Sequence, residues 1–229
     1  MVRIISIAAV TVAALALQAD ATPVKVHCAS AHFTSDLQDP QVVSLPAFDT
    51  LGGTLTLTDV IVDFTWSASV EPAADNDDPL QGAVVRARMI RQFSATGPGV
   101  LVNGGETTIT SGFINLDPDD GDLTVFDTSA PDGHDFGIIS FTDLVAGTYT
   151  PAEDLYDDGP GTVDFTVTPV LMVNDLQFED PPGAPDSWQL EIESPTMDVE
   201  ICLEYHYVPE PATLSLLAVG GLLLIRRRR

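Results

Sequence analysis

Apolar and polar residues alternate with a period of two through most of the middle of this chain. Leu55 and Leu57 alternate with Thr54, Thr56 and Thr58. After Asp59 the apolar phase moves by one residue, and Val60, Val62, Phe64, Trp66, Ala68 and Val70 share one face. A one-residue slip inside a continuous strand pattern predicts a bulge or a switch between sheets. Val85, Ala87 and Met89 alternate with Arg86, Arg88 and Ile90, and Val163, Phe165 and Val167 with Asp164, Thr166 and Thr168. In the last run Met197, Val199, Ile201, Leu203, Tyr205 and Tyr207 face one way, and Asp198, Glu200, Glu204 and His206 the other. Such runs predict half-buried strands.

Turn-forming clusters separate the runs. They include Ala74-Asp75-Asn76-Asp77-Asp78-Pro79, Asp117-Pro118-Asp119-Asp120-Gly121-Asp122 and Asp157-Asp158-Gly159-Pro160-Gly161. The 17 Gly and 17 Pro suit many such turns. No stretch of the body sustains a 3.6-residue apolar period over three turns, and none repeats at a fixed spacing. The expected fold is therefore all-β: an antiparallel, jelly-roll-like β-sandwich over residues 22–207. An N-terminal signal helix and a short C-terminal transmembrane helix are expected to flank it.

The two ends have a different texture. Arg3 precedes an apolar stretch from Ile4 to Leu17, and Ala19-Asp20-Ala21 follows. That order is that of a secretory signal peptide over residues 1–21, cleaved after small residues Ala19 and Ala21. At the other end Pro209-Glu210-Pro211 leads into an apolar run from Ala212 to Ile225 and then Arg226, Arg227, Arg228 and Arg229. Fourteen helical residues rise roughly 21 Å, short of a hydrocarbon core of about 30 Å. Snorkelling arginines and local bilayer thinning make such a span workable. The arginine cluster stops transfer and stays cytoplasmic by the positive-inside rule.

Charge sharpens this division. The chain has 34 acidic and 9 basic residues. Between Thr22 and Val208 there are 32 acids against four bases, Lys25, Arg86, Arg88 and Arg91, a formal charge of −28. So acidic a surface repels nucleic acid and anionic headgroups, and no nucleic-acid partner is expected. An apolar fraction of 45% still supplies a core.

The array of Pro-Glu-Pro, short apolar segment and terminal arginines over residues 208–229 resembles the PEP-CTERM sorting signal. The resemblance implies recognition of Pro209, Glu210 and Pro211 by an exosortase, a membrane-embedded cysteine transpeptidase-like enzyme, with cleavage nearby. A plain C-terminal tail anchor is the alternative. It also implies export by the secretory pathway, an inner-membrane intermediate with transient anchoring, and release to the cell surface or extracellular matrix. The body resembles the choice-of-anchor type E ectodomains through Leu45-Pro46-Ala47-Phe48-Asp49, Leu51-Gly52-Gly53-Thr54-Leu55, Gly159-Pro160-Gly161-Thr162-Val163 and the final strand into Tyr205-His206-Tyr207-Val208. That resemblance implies a fold and a location only.

Candidate chemistry is sparse. Cys28 and Cys202 are the two cysteines, and in an oxidising compartment they are expected to form a disulfide. Their phases conflict: Cys28 runs with Val24 and Val26, Cys202 with Glu200 and Glu204. A bulge, or a bridge at the sandwich edge, would reconcile them. Asp117, Asp119, Asp120 and Asp122, with Asn115, concentrate oxygen donors for a weak calcium site, the sole candidate cofactor. They lack the EF-hand spacing, and solvated turn residues are the alternative. Asp75, Asp77 and Asp78 form a second cluster, Asp154, Asp157 and Asp158 a third. G-x-S-x-G, H-E-x-x-H and C-x-x-C are all absent, and no catalytic residue is assigned. Trp66 lies in a core phase. Trp188 reads first as core and second as an exposed ring that stacks on a sugar. Arg86 and Arg88 are expected to pair with neighbouring acidic strands; contact with an anionic sugar is the alternative.

These readings converge on an exported structural or adhesive protein of an extracellular polysaccharide layer, without catalysis. A carbohydrate-binding module is the alternative, and a glycoside hydrolase a third class.

Overall fold

A computed structural model describes residues 23–209 except 36, 122–124 and 158. The signal peptide with Ala19 and Ala21, the motif residues Glu210 and Pro211, the segment through Arg226–Arg229 and Asp122 fall outside the described residues. Among the described residues no helix is long and apolar enough to cross a membrane.

The strands are β1 (Val24–Phe33), β2 (Gln41–Pro46), β3 (Leu55–Asp75), β4 (Ala83–Gly97), β5 (Val100–Asn103), β6 (Thr107–Thr110), β7 (Ile114–Leu116), β8 (Gly133–Asp135), β9 (Ile139–Tyr149), β10 (Thr162–Phe178) and β11 (Gln189–Pro209). One sheet has the order β1-β11-β3-β8, with β9 also on β3. The other has the order β2-β10-β4-β5, with β6 and β7 also on β4. Every pairing is antiparallel. The chain changes sheet at each step from β1 to β4 and again from β9 to β11, the jelly-roll arrangement that the turn spacing predicts.

The inward faces are those read from the alternation. Val60, Val62, Phe64, Trp66, Ala68 and Val70 of β3 are buried, as are Met197, Val199, Ile201, Leu203 and Tyr205 of β11. Trp66 packs edge-on between Phe93 and Phe141, with ring centroids 5.2 and 4.8 Å away. The phase slip near Asp59 is a bulge: His206 pairs with Asp59 and Tyr207 with Leu57, which leaves Thr58 as the extra residue. β11 slips in turn between Glu193 and Thr196, where Ser194 takes a φ of 47°.

Arg91 continues the apolar phase of Val85, Ala87 and Met89 on β4 and is fully buried. Its guanidinium donates to the carbonyls of Ile90 and Val173 at 3.0 Å and of Thr196 at 3.4 Å, so it crosses from one sheet to the other. A buried cation is tolerated where carbonyl oxygens replace its water.

The phase conflict of the cysteines dissolves without a bulge, by a bridge at the sheet margin. β1 and β11 pair without a slip from Val24↔His206 to Phe33↔Met197. Ala31 and Phe33 are buried, whereas Val24 and Val26 are exposed, so the valines occupy the outer face. Phe33 anchors the register, and a strand at the sheet margin leaves its first valines in solvent. Cys28 therefore shares the outer face with Cys202, directly opposite, and the two are bonded.

Candidate functional site

The strand registers sort the loops to two ends. Val24 pairs with His206, and Leu55 with Pro209. Both described chain ends therefore leave the sandwich at one end, here the exit end. Asp75 pairs with Gln189, and Phe178 with Val85. The loops 76–82, 117–132 (in its described residues 117–121 and 125–132) and 179–188 accordingly gather at the opposite, far end.

The exit end is closed by aromatic side chains. The Tyr205 hydroxyl donates to the Pro46 carbonyl at 2.9 Å, and that of Tyr156 to Pro98 at 2.7 Å. Burial raises the Tyr156 phenol to about 12, and the Tyr205 phenol is pushed up further by burial and by its proximity to Tyr156. Phe48 packs on Tyr205 and Tyr207 at 5.6 and 5.3 Å, and the Lys25 ammonium lies over Phe48 and Tyr207. The Phe48 amide donates to the Tyr156 carbonyl, which ties loop 47–54 to loop 150–161. In the first of these loops Leu51, Gly52 and Gly53 all have positive φ, so the paired glycines serve a left-handed turn. β11 runs two residues beyond the boundary expected at residue 207 and carries Pro209, the first residue of Pro-Glu-Pro, into the sheet.

The far end is acidic, and its three loops contain no lysine or arginine. Asp75, Asp77, Asp78 and Asp132 are buried there. Asp78 is well served: its carboxylate accepts from the amides of Leu80, Gln81 and Asp186, which hold it below the usual carboxylate range. Asp75 is raised above its ordinary value by burial, then by the nearby carboxylates of Asp77, Asp132 and Asp127, against one lowering contact from the Asp127 amide. Asp77 accepts from the Gln189 side chain at 3.1 Å, and Asp132 from the Asp120 amide at 2.8 Å.

Loop 117–121 docks on loop 76–81 through bonds to backbone carbonyls. Asn76 donates to the carbonyls of Asp117 and Gln81, and the Asp119 amide donates to Asp78. Asp117 and Asp120 are exposed, and an Asp119 oxygen accepts from the Gly121 amide. These carboxylates are not gathered at ligand spacing. Among the described residues, the set of acid, His or Cys ligand atoms within 4.8 Å of one another is Cys28, Glu200 and Cys202, and its two sulfurs are bonded to each other. Asp127 and Asp132 escaped the sequence reading. They lie outside the densest acidic runs, and only the pairing of β8 with β3 brings them to Asp75.

Trp188 is 41% exposed and leans on Phe178 with centroids 5.4 Å apart. This corrects its first reading as core: loop 179–188 carries it onto the far-end surface before β11 begins. Arg88 pairs with Asp175 through both guanidinium and carboxylate forks, as expected. Arg86 instead donates to Gln177 and stacks over Phe113. The outer face of the β1–β11–β3 sheet carries a groove of about 280 Å³ lined by Ser30, Thr65, Ser67, Asp143, Asp198 and Glu200. His32 Nδ1 lies 2.7 Å from Asp198 at this surface.

Residues 208–229 match the PEP-CTERM protein-sorting motif. No curated protein and no solved structure matches the chain.

Proposed function

We propose that this chain, exported and exosortase-targeted by the PEP-CTERM sorting motif at residues 208–229, serves outside the cell as a structural or adhesive component of an exopolysaccharide layer. It acts there without catalysis. The observation that carries this reading is the direct continuity of the sorting motif with the last strand of an acidic β-sandwich. The signal-peptide pattern of residues 1–21 and the transient inner-membrane anchor belong to the same reading, as does release to the surface or matrix.

An anionic polymer and a body of charge −28 repel one another. Divalent cations shared between polymer carboxylates and the far-end loops would cancel that repulsion, and calcium, weakly held, is the cation of this reading. Native matrix washed with EDTA is therefore expected to release the protein, and calcium to restore retention. Retention unchanged by chelation would remove the bridging role. The exposed ring of Trp188 favours a second reading, a carbohydrate-binding module. Polymer binding lost in Trp188→Ala but unaffected by EDTA would select it.

A further inference from the structure

The last strand does not stop where the sorting motif begins. Val208 and Pro209 of β11 pair with Thr56 and Leu55 of β3, and Pro209 belongs to Pro-Glu-Pro. A peptide read by a processing enzyme is commonly held extended, with its backbone bonded to the enzyme. The same backbone cannot serve β3 and the enzyme at once.

Resting on the sorting reading above, we propose that the folded domain gates its own processing. The motif is read only when Val208 and Pro209 peel away from β3, and Tyr207 is the point where the peeling stops.

The strength of pairing changes sharply at Tyr207. From Met197 to His206, β11 is paired on both sides, with β1 and with β3. The Tyr207 amide still donates to the Pro23 carbonyl at 3.3 Å, and its ring packs on Phe48 beneath the Lys25 ammonium. Beyond it, Val208 and Pro209 pair among the described residues with β3 alone. Proline has no N–H to give the ladder, and Val208 is 38% exposed. Opening two residues thus gives up few contacts, whereas opening a third breaks into the aromatic closure of the exit end.

Chain length makes the opening matter. Two residues, and so three chain steps, separate Pro209 from Ala212, the start of the apolar run. They reach at most about 10 Å, against a headgroup layer of roughly 5–8 Å. With β11 fully paired, a membrane-held chain would keep the exit end near the bilayer surface, with no more than about 2–5 Å to spare. Freeing Val208 and Pro209 adds about 7 Å.

The test is processing of the full-length chain in exosortase-bearing cells, followed by pulse–chase. Thr56→Cys with Val208→Cys staples the facing residues in the oxidising compartment, and each single cysteine variant is a control. The staple is expected to abolish processing, while the single variants are processed. A flexible Gly-Ser insertion between Val208 and Pro209 is expected to restore processing of the stapled chain, which excludes misfolding as the cause of the block. A stapled chain without the insertion that is processed at the wild-type rate overturns the gating. A wild-type chain that is never processed overturns the sorting reading itself.

Discussion

Asp75, the last residue of β3, and Asp78, three positions on in the following loop, are in opposite electrostatic states. Asp78 has three amide donors and a lowered pKa, so its contribution to stability is present above the unfolded value near 3.8 and is lost as pH falls through the folded value. Asp75 is raised, first by burial and then by its acidic neighbours. Its folded form holds a proton more tightly than the unfolded chain does. Its stabilising share is therefore complete below the unfolded value and is lost as pH rises through the raised folded value. Asp75→Asn is expected to raise the melting temperature at pH 7, with the gain vanishing at pH 3. Asp78→Asn is expected to lower it at pH 7, since the new amide group turns a donor toward backbone N–H groups. Thermal melts at the two pH values in EDTA check both. The sequence shows two aspartates three positions apart; only the placement of donors and neighbours tells them apart.

At the scale of the strand, the disulfide adds a covalent tie to the ladder that holds β1 on β11. This strand pairs with β11 alone among the described residues and so forms the margin of its sheet. The bond spans a sequence separation of 174. Closing so long a loop stabilises by up to about 5 kcal/mol in the chain-entropy model, often less in practice. Cys28→Ser with Cys202→Ser is expected to lower the denaturation midpoint, with early loss of protection from hydrogen exchange along β1. An unchanged midpoint would show that strand pairing alone holds this margin. The long strands β3, β4, β10 and β11 were legible because each buries one face, which writes a period of two into the sequence. Even the Thr58 bulge showed itself, since it moves every later residue to the other phase. β1 was misread from its first two valines. The short strands β5 to β8 have three or four residues, too few to establish a period.

Over the whole molecule the two ends differ in chemistry. The exit end is closed by Phe48, Tyr156, Tyr205 and Tyr207, and the far end by carboxylates with Trp188 beside them. A protein held by its C-terminal segment would present the acidic end outward, where a polymer or cation meets it first. Intact mass of the protein recovered from native cells is expected to lack residues 1–21 and the terminal arginines. A mass that retains Arg226–Arg229 would mean a permanent anchor, and the matrix role would lose its support.

The sorting motif at residues 208–229 and the all-β class are legible in the sequence alone, because both are local. A sorting motif is an ordered run of neighbouring residues, and a half-buried strand repeats every two residues. Tertiary structure alone decided what depends on long-range register. Asp132 meets Asp75 because β8 pairs with β3, and Cys28 meets Cys202 because β1 turns its valines outward. The sorting motif begins inside the sheet because β3 is long enough to keep pairing with β11 through Pro209. None of these follows from a window of neighbouring residues, since each is settled by which distant strand supplies the partner backbone.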